Sequence, residues 1–361
     1  AISQQYGSLF SKNLATSFLG ELQELDNQLY QAAETYRQTL ALAGEHPQPN
    51  TETVYLSLAR IYYEWNDLDA AEQHAQQSLR LAHLYDRMID RSVVSEVFLA
   101  RLKLARGDID GAAAMLAQTE QTARQKNFIL RLPDIAEVQV LTLLRQGQVT
   151  AAAQLARQYD LPLSQARVLI AQHDPVAALA ILDPLCQQAE AQGWADKRLK
   201  TLVLQALAHH VGGEKEKVAQ SLGEALVLAE PGGFIRLFVD EGEPMRFLIF
   251  AFRFWIEKQP RDRIHPQIGY IDKLLTAFAQ PEGMPPAKSS DQTSDLIEPL
   301  SPREVEVLRL IAEGLSNQAI GERLFLALDT VKGHNRRIFE KLQVQRRTEA
   351  IARARVLGLL N

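Results

Sequence analysis

The strongest constraint on the fold is a repetition with a period near forty residues. Leu19-Gly20, Leu29, Ala32, Tyr36, Leu40 and Ala43 return 39 residues on as Leu58-Ala59, Leu68, Ala71, Ala75, Leu79 and Ala82. After another 41 residues Leu99-Ala100, Ile109, Ala112, Leu116 and Ala123 hold the same register, with one departure at Glu120, and 40 more give Val149, Ala152 and Ala156. Apolar residues three and four apart mark helices. The clusters Trp65-Asn66-Asp67, Arg106-Gly107-Asp108 and Gln146-Gly147-Gln148 break them into pairs. Two less regular pairs turn at His173-Asp174-Pro175, before Ala177-Ala178, and at Gly212-Gly213, before Val218-Ala219 and Leu222. A two-helix unit of this size cannot bury its apolar face alone and must stack on its neighbours. The recurrent alanines allow that close approach. The expectation is an all-α chain in which residues 1–280 form a right-handed superhelix of helical hairpins with a concave inner surface.

This pattern resembles tetratricopeptide repeats, with a period longer than theirs and hence longer helices. A second stretch narrows the resemblance. Ala229-Glu230-Pro231-Gly232-Gly233-Phe234-Ile235-Arg236-Leu237-Phe238-Val239-Asp240-Glu241-Gly242-Glu243-Pro244-Met245 is similar to the end of the superhelical domain in MalT-like regulators, the large ATP-dependent branch of the LuxR group. Read locally, Gly232-Gly233 after an alanine-rich helix is a helix stop and a structural turn. The resemblance implies a sensor or interaction domain over 1–280. Members of that branch normally begin with an ATP-hydrolysing domain. This sequence holds no Gly-x-x-x-x-Gly-Lys-Ser/Thr loop, and neither Gly212-Gly213 nor Gly232-Gly233 is followed by the lysine and hydroxyl that cradle phosphates. ATP binding of that kind is not expected. The absence of an initial methionine, with Ala1 first, leaves open a processed or excised chain or a shortened relative under other control.

The last sixty residues read differently. Ser301-Pro302-Arg303-Glu304 is a capping box with proline at the first helical position, and Val305, Leu308 and Ile311-Ala312 continue the helix until Gly314. Ser316 caps a second helix with Ile320 and Leu324 inward. A third, from Asp329 to Leu342, carries Val331, Ile338 and Leu342 on one stripe and Lys332 and Arg336, four residues apart, on another face. A fourth runs from Arg347 to Leu357. Two helices joined by a tight turn, the second one basic, is the helix-turn-helix plan. Cations at that spacing can neutralise phosphates, and arginine can also bond guanine in the major groove.

Leu300-Ser301-Pro302-Arg303-Glu304, Glu313-Gly314-Leu315-Ser316-Asn317, Thr330-Val331-Lys332-Gly333-His334, Lys341-Leu342 and Arg347-Thr348-Glu349-Ala350 together resemble the LuxR-type four-helix DNA-binding domain, here at 299–361. The resemblance implies that Lys332, Gly333 and Arg336 touch base edges, and that Asn317, Thr330, Arg337 and Arg346 contact phosphates. It also implies that the last helix pairs two copies on DNA, making Ile351 and Arg355 dimer contacts; as core residues they are explained equally well. Three positions depart from the family pattern: Ala327 replaces a capping serine, Asn335 an apolar residue, and Gln343 a glycine.

Charge is divided between these regions. From Pro299 onward eleven Lys and Arg oppose seven Asp and Glu, a local +4 within a chain of net −5, leaving −9 upstream. The positive field therefore lies where DNA would bind. Between them, residues 281–298 are rich in proline, serine and acidic residues and read as a flexible linker. The single cysteine, Cys186, excludes an internal disulfide and fits a reducing, cytoplasmic setting and a buried thiol. The most apolar run, Phe247 to Ile256, is too short for a membrane span and is interrupted by Arg253. His209-His210 are adjacent and diverge on a helix, so no metal pair forms there. No nucleophile-base constellation supports an enzyme, and no cofactor is expected. On the inner surface of the superhelix Tyr55, Tyr62 and Trp65 offer a candidate groove for a ligand or partner, packing between helices being the alternative.

The reading is a bacterial DNA-binding transcriptional regulator, an activator by resemblance. Its partners would be double-stranded DNA, RNA polymerase, a small-molecule or protein effector, and a second copy on DNA. The alternative is a helical-repeat scaffold with a degenerate DNA-binding domain.

Overall fold

A computed structural model describes residues 2–43, 50–85, 90–257, 268–279, 302–312, 315–324, 328–342, 344 and 347–356. They fall into two compact units, Ala1–Pro285 and Pro286–Asn361. Among these residues the regular structure is helical, with no strand. The linker expected at 281–298 lies outside the described residues.

The first unit begins with six helical hairpins: α1 (Ile2–Leu25) with α2 (Leu29–Ala43), α3 (Thr51–Glu64) with α4 (Leu68–Tyr85), α5 (Arg91–Ala105) with α6 (Ile109–Gln125), α7 (Leu132–Arg145) with α8 (Val149–Gln158), α9 (Pro162–Ala171) with α10 (Pro175–Gln192), and α11 (Ala195–Val211) with α12 (Lys215–Ala229). The sequence register is the packing register. Ala32, Ala71, Ala112, Ala152 and Ala178 are all fully buried on the second helices, as are Tyr36, Ala75, Leu116, Ala156, Leu182 and Leu222 one turn further on. Size is compensated within hairpins. Tyr36 of α2 lies against Gly20 of α1, where a Cβ would strike the tyrosine ring, whereas the next two hairpins place Ala59 and Ala100 at that position with Ala75 and Leu116 opposite.

Each hairpin turns through one residue in the left-handed region: Asn27, Asn66, Gly107, Gly147, His173 and Gly213, with φ from 59° to 78°. Asparagine and glycine tolerate that conformation best. The turn after α3 shows why the position is fixed. Asn66 N–H donates to Tyr63 O (2.8 Å) and Asp67 N–H to Tyr62 O (2.9 Å), satisfying carbonyls that the helix end would otherwise orphan. The irregular spacing seen in the sequence has a simple cause: α8 and α9 are only ten residues each.

After α12 the regular succession of hairpins is interrupted. A short turn at Glu230–Gly232 leads into α13 (Arg236–Val239), then α14 (Glu243–Glu257) and α15 (Ile268–Phe278). Residues 230–242 run back across α3, so that Ile235 N–H donates to Glu64 O at 2.6 Å. Gly232 passes so close to the backbone of Asn27 that a Cβ would sit 2.5 Å from its carbonyl oxygen. The Gly232-Gly233 pair is thus the turn anticipated, and also a point of close approach between chain segments far apart in sequence. One apolar core consequently contains Leu29, Tyr36, Leu58 and Ile61 from the first hairpins together with Leu226, Phe238, Leu248, Ile271 and Leu274 from the last elements.

The second unit contains α16 (Pro302–Ala312), α17 (Asn317–Leu324), α18 (Leu328–Leu342) and α19 (Arg347–Val356). They share a core of Val307, Leu308, Ile311, Ile320, Leu324, Val331, Ile338, Leu342, Ala350 and Ala354.

Candidate nucleic-acid interface

The apolar stripe of α18 determines what the opposite face can do. Val331, Ile338 and Leu342 are buried against α16, α17 and α19, and that anchoring turns Lys332, Gly333, Arg336 and Arg337 outward, where all four are exposed. The two cations foreseen on one face are there. Gly333 adds a further property: among the described residues a Cβ built on it meets nothing within 4 Å, so none of their contacts demands a glycine there. An exposed helix-interior glycine is less stable than alanine by roughly 1 kcal/mol, and the surface at Gly333 is correspondingly open to close approach. The preceding helix begins as anticipated, with Ala319 N–H donating to Ser316 Oγ at 3.2 Å.

The other residues expected at DNA have varied positions. Asn317 is half-buried, and its Oδ1 accepts from Asn335 Nδ2 at 2.9 Å and from Arg347 Nη1 at 3.4 Å. Thr330 lies in the first turn of α18, with only its backbone described, and Arg346 lies outside the described residues. Ile351 and Arg355 are on α19, whose buried positions are Ala350 and Ala354; the side chains of Ile351 and Arg355 are not among those described. The capping pair Ser301 and Glu304, and Ala327 and Gln343, lie likewise outside the described side chains.

Arg347 was not singled out from the sequence, yet it fastens three elements. Its Nη2 donates to Ile311 O (3.3 Å) and to Leu315 O, at the end of α16 and the approach to α17, while the residue itself starts α19. Asn335 explains its own departure from the family pattern. It falls on the buried stripe between Val331 and Ile338, where its Nδ2 donates to Asn317 while its Oδ1 is buried without a hydrogen-bond partner among the described residues. A polar residue on an otherwise apolar helical stripe was the sequence signal for this pair.

In the first unit, Trp65 donates from Nε1 to Gly232 O at 2.9 Å and stacks on Tyr30 with ring centres 4.8 Å apart. Tyr62 stacks on His74 at 5.1 Å and accepts from Arg37 Nη2 at 3.2 Å, and Tyr55 tilts against the same imidazole at 5.8 Å. Burial, with Arg37 adding to it, lowers the His74 pKa. All three aromatics of the candidate groove are therefore partly buried in an internal ladder of rings. A separate groove of about 470 Å³ between α10, α11 and α12 is lined by Cys186, Glu190, Gln205 and His209 among others, and in it Arg198 bridges Glu190 (3.3 Å) and Glu224 (3.1 Å). Burial pushes the Cys186 thiol above its usual range. Among the described residues no three His, Cys, Asp or Glu side chains gather as metal ligands, and no helix is long and apolar enough to cross a membrane.

A closed array of helical hairpins, with a four-helix unit that presents a basic helix of the helix-turn-helix plan, defines a helical-repeat protein with a DNA-reader-type module. The family profile described as "MalT-like TPR region" matches residues 1–253, and "Bacterial regulatory proteins, luxR family" matches residues 298–354. The chain belongs to the MalT-like family, with a LuxR-type domain at its C-terminal end. Curated relatives bear the name HTH-type transcriptional regulator MalT. That of Serratia proteamaculans is 29% identical over 332 residues, covering 83% of this chain and 35% of its own length. That of Klebsiella pneumoniae is 28% identical with the same coverage, and that of Yersinia pestis is 27% identical over 365 residues, covering 91% of this chain and 39% of its own. The chain thus spans between a third and two-fifths of the length of these relatives.

Proposed function

We propose that this chain is the signal-receiving and DNA-reading portion of a bacterial transcriptional regulator that activates its promoters. The observation that carries the reading is the outward basic face of α18, where Lys332, Arg336 and Arg337 are exposed around Gly333 while Val331, Ile338 and Leu342 are buried. Lys332 and Arg336 contact base edges in the major groove while Arg337, with Thr330 and Arg346, holds phosphates. The glycine lets the helix backbone approach the duplex. Asn317 contributes from behind this face by orienting α18 through Asn335. The names of the relatives and the LuxR-type match support regulation of transcription as the output. Two copies pair on DNA through α19, with Ile351 and Arg355 at the seam, and the bound pair contacts RNA polymerase. The repeat unit receives a small-molecule or protein effector whose binding shifts the population of DNA-competent chains.

The test is selection of binding sites from a random duplex pool with the full chain, followed by affinity measurements for Lys332→Ala and Arg336→Ala across salt concentrations. Each substitution is expected to weaken specific binding by about 1–3 kcal/mol, and log affinity should fall linearly with log salt. Failure to enrich any sequence at low salt, with both variants indistinguishable from the parent, would leave a repeat scaffold with a silent C-terminal module instead.

A further inference from the structure

An open solenoid transmits force only from neighbour to neighbour, because each repeat touches only the next. This repeat unit has an additional connection. Within residues 230–242 the chain makes polar contacts with a side chain from each of α3, α5, α7 and α9. Leu237 N–H donates to the Glu64 carboxylate of α3 at 3.1 Å. The Asp240 carboxylate accepts from Tyr63 Oη of α3 at 2.7 Å and pairs with Arg101 of α5 at 3.3 Å, and also with Arg236 of its own helix at 2.5 Å. Arg145 of α7 donates to Asp240 O at 2.9 Å, and Arg167 of α9 pairs with Glu241 at 2.8 Å. The far side is secured as well: Tyr270 of α15 donates to Phe234 O, and Phe238 is fully buried.

Asp240 is the hub of this arrangement. Burial alone would raise its pKa, but Arg236 and Arg101 outweigh it and hold the carboxyl below its ordinary value, so Asp240 is charged. Both guanidinium groups also lie over the Tyr63 ring, at 5.1 Å for Arg101 and 5.5 Å for Arg236. The network has a weakness: Nε of Arg101 and Nε of Arg236 are buried without a hydrogen-bond partner among the described residues. Removing one partner of a largely buried ion pair leaves the other charge without compensation, which costs more than the pair itself contributes to stability. The seams between successive hairpins combine buried alanines with ion pairs of their own, such as Arg91 with Glu52 and Arg106 with Asp69 and Glu72.

We propose that residues 230–242 act as a strap that closes the repeat array into one mechanical unit, with Asp240 as its clasp, so that a displacement at α2 and α3 is transmitted directly to α14 and α15 without passing through the intervening repeats. The strap opens as a unit. When Asp240 is disengaged, α3 and α13 to α15 loosen together while the seams among α5, α6, α7 and α8 persist. An effector that moves the first hairpins thereby acts on the last helices of the unit, those nearest in sequence to the C-terminal module. This inference concerns the repeat unit alone and stands whether or not that module binds DNA.

The experiment is amide hydrogen exchange of the full chain, followed peptide by peptide, for the parent and for Asp240→Asn. The expected result is exchange at least roughly tenfold faster in both α3 and α13 to α15, by a common factor, with α6 and α8 within about threefold of the parent. Faster exchange confined to α13, or a uniform increase in every helix of the unit, would overturn the strap. Should Asp240→Asn fail to fold, exchange of the parent in low urea provides the same discrimination. There α3 and α13 to α15 must open with one shared free energy and one shared urea dependence, and separate values for the two regions would refute the proposal.

Discussion

Two groups of cations in this chain have opposite fates. Arg101, Arg145, Arg167 and Arg236 direct their guanidinium groups at Asp240 or Glu241 within the repeat unit. Lys332, Arg336 and Arg337 stand exposed on one helix of the second unit. By residue type the groups are nearly indistinguishable; the difference lies in what the surrounding apolar residues do. In α18 a buried stripe turns the charges outward, to a surface that water or a polyanion can reach. Around the strap, by contrast, Phe234, Ile235, Leu237 and Phe238 draw the chain inward and take Arg236 with them. A positive side chain therefore reports on function only after the burial of its neighbours is known.

Stability measurements should separate the groups most sharply. Asp240→Ala removes the carboxylate partner of the buried Arg236 and leaves the partly exposed Arg101 with only Glu64 nearby, and is expected to destabilise the repeat unit by about 3 kcal/mol, the low end of the penalty for breaking a buried pair. Arg337→Ala, an exposed position on α18, read by the same urea titration, should shift the second unit by less than about 0.5 kcal/mol. Equal effects would erase the distinction. A finer test is Gly333→Ala. Helix propensity predicts a gain of up to about 1 kcal/mol in the second unit, while a methyl on the approach surface should weaken duplex binding, so stability and affinity move in opposite directions. If both rise together, the glycine does not mark a contact surface. The smallest effect belongs to the turns. His173 is the one left-handed hairpin residue that is neither asparagine nor glycine, and His173→Gly should raise the melting temperature by a degree or two, on the order of 0.5 kcal/mol.

Much of the fold was legible in the sequence because its determinants are local. The alanines at 32, 71, 112 and 152 announce helix seams by their spacing, and the structure buries each of them. The outward face of α18 follows from the same arithmetic, since Lys332 and Arg336 fall off the stripe of Val331, Ile338 and Leu342. The strap was visible only as a motif. Its partners, Tyr63, Glu64, Arg101, Arg145 and Arg167, lie up to 177 residues away in the chain, and no periodicity links them to Asp240. Trp65 had the same difficulty: sequence left it between a groove position and packing between helices, and nothing in its spacing pointed to the carbonyl of Gly232, to which its indole donates. Asn335 and Asn317 fall between these cases. The position of Asn335 on a buried stripe required a partner, but sequence could not say which one.

The enclosure of Trp65 has a practical consequence. The chain contains three tryptophans, and the other two, Trp194 and Trp255, are 38% and 50% exposed. Trp65 alone is stacked on a tyrosine and bonded to the strap's backbone, so its emission should lie to the blue of theirs and resist collisional quenchers. Nature has thus placed a fluorophore at the junction of the array's two ends, and its colour can report in real time whether the ring is shut.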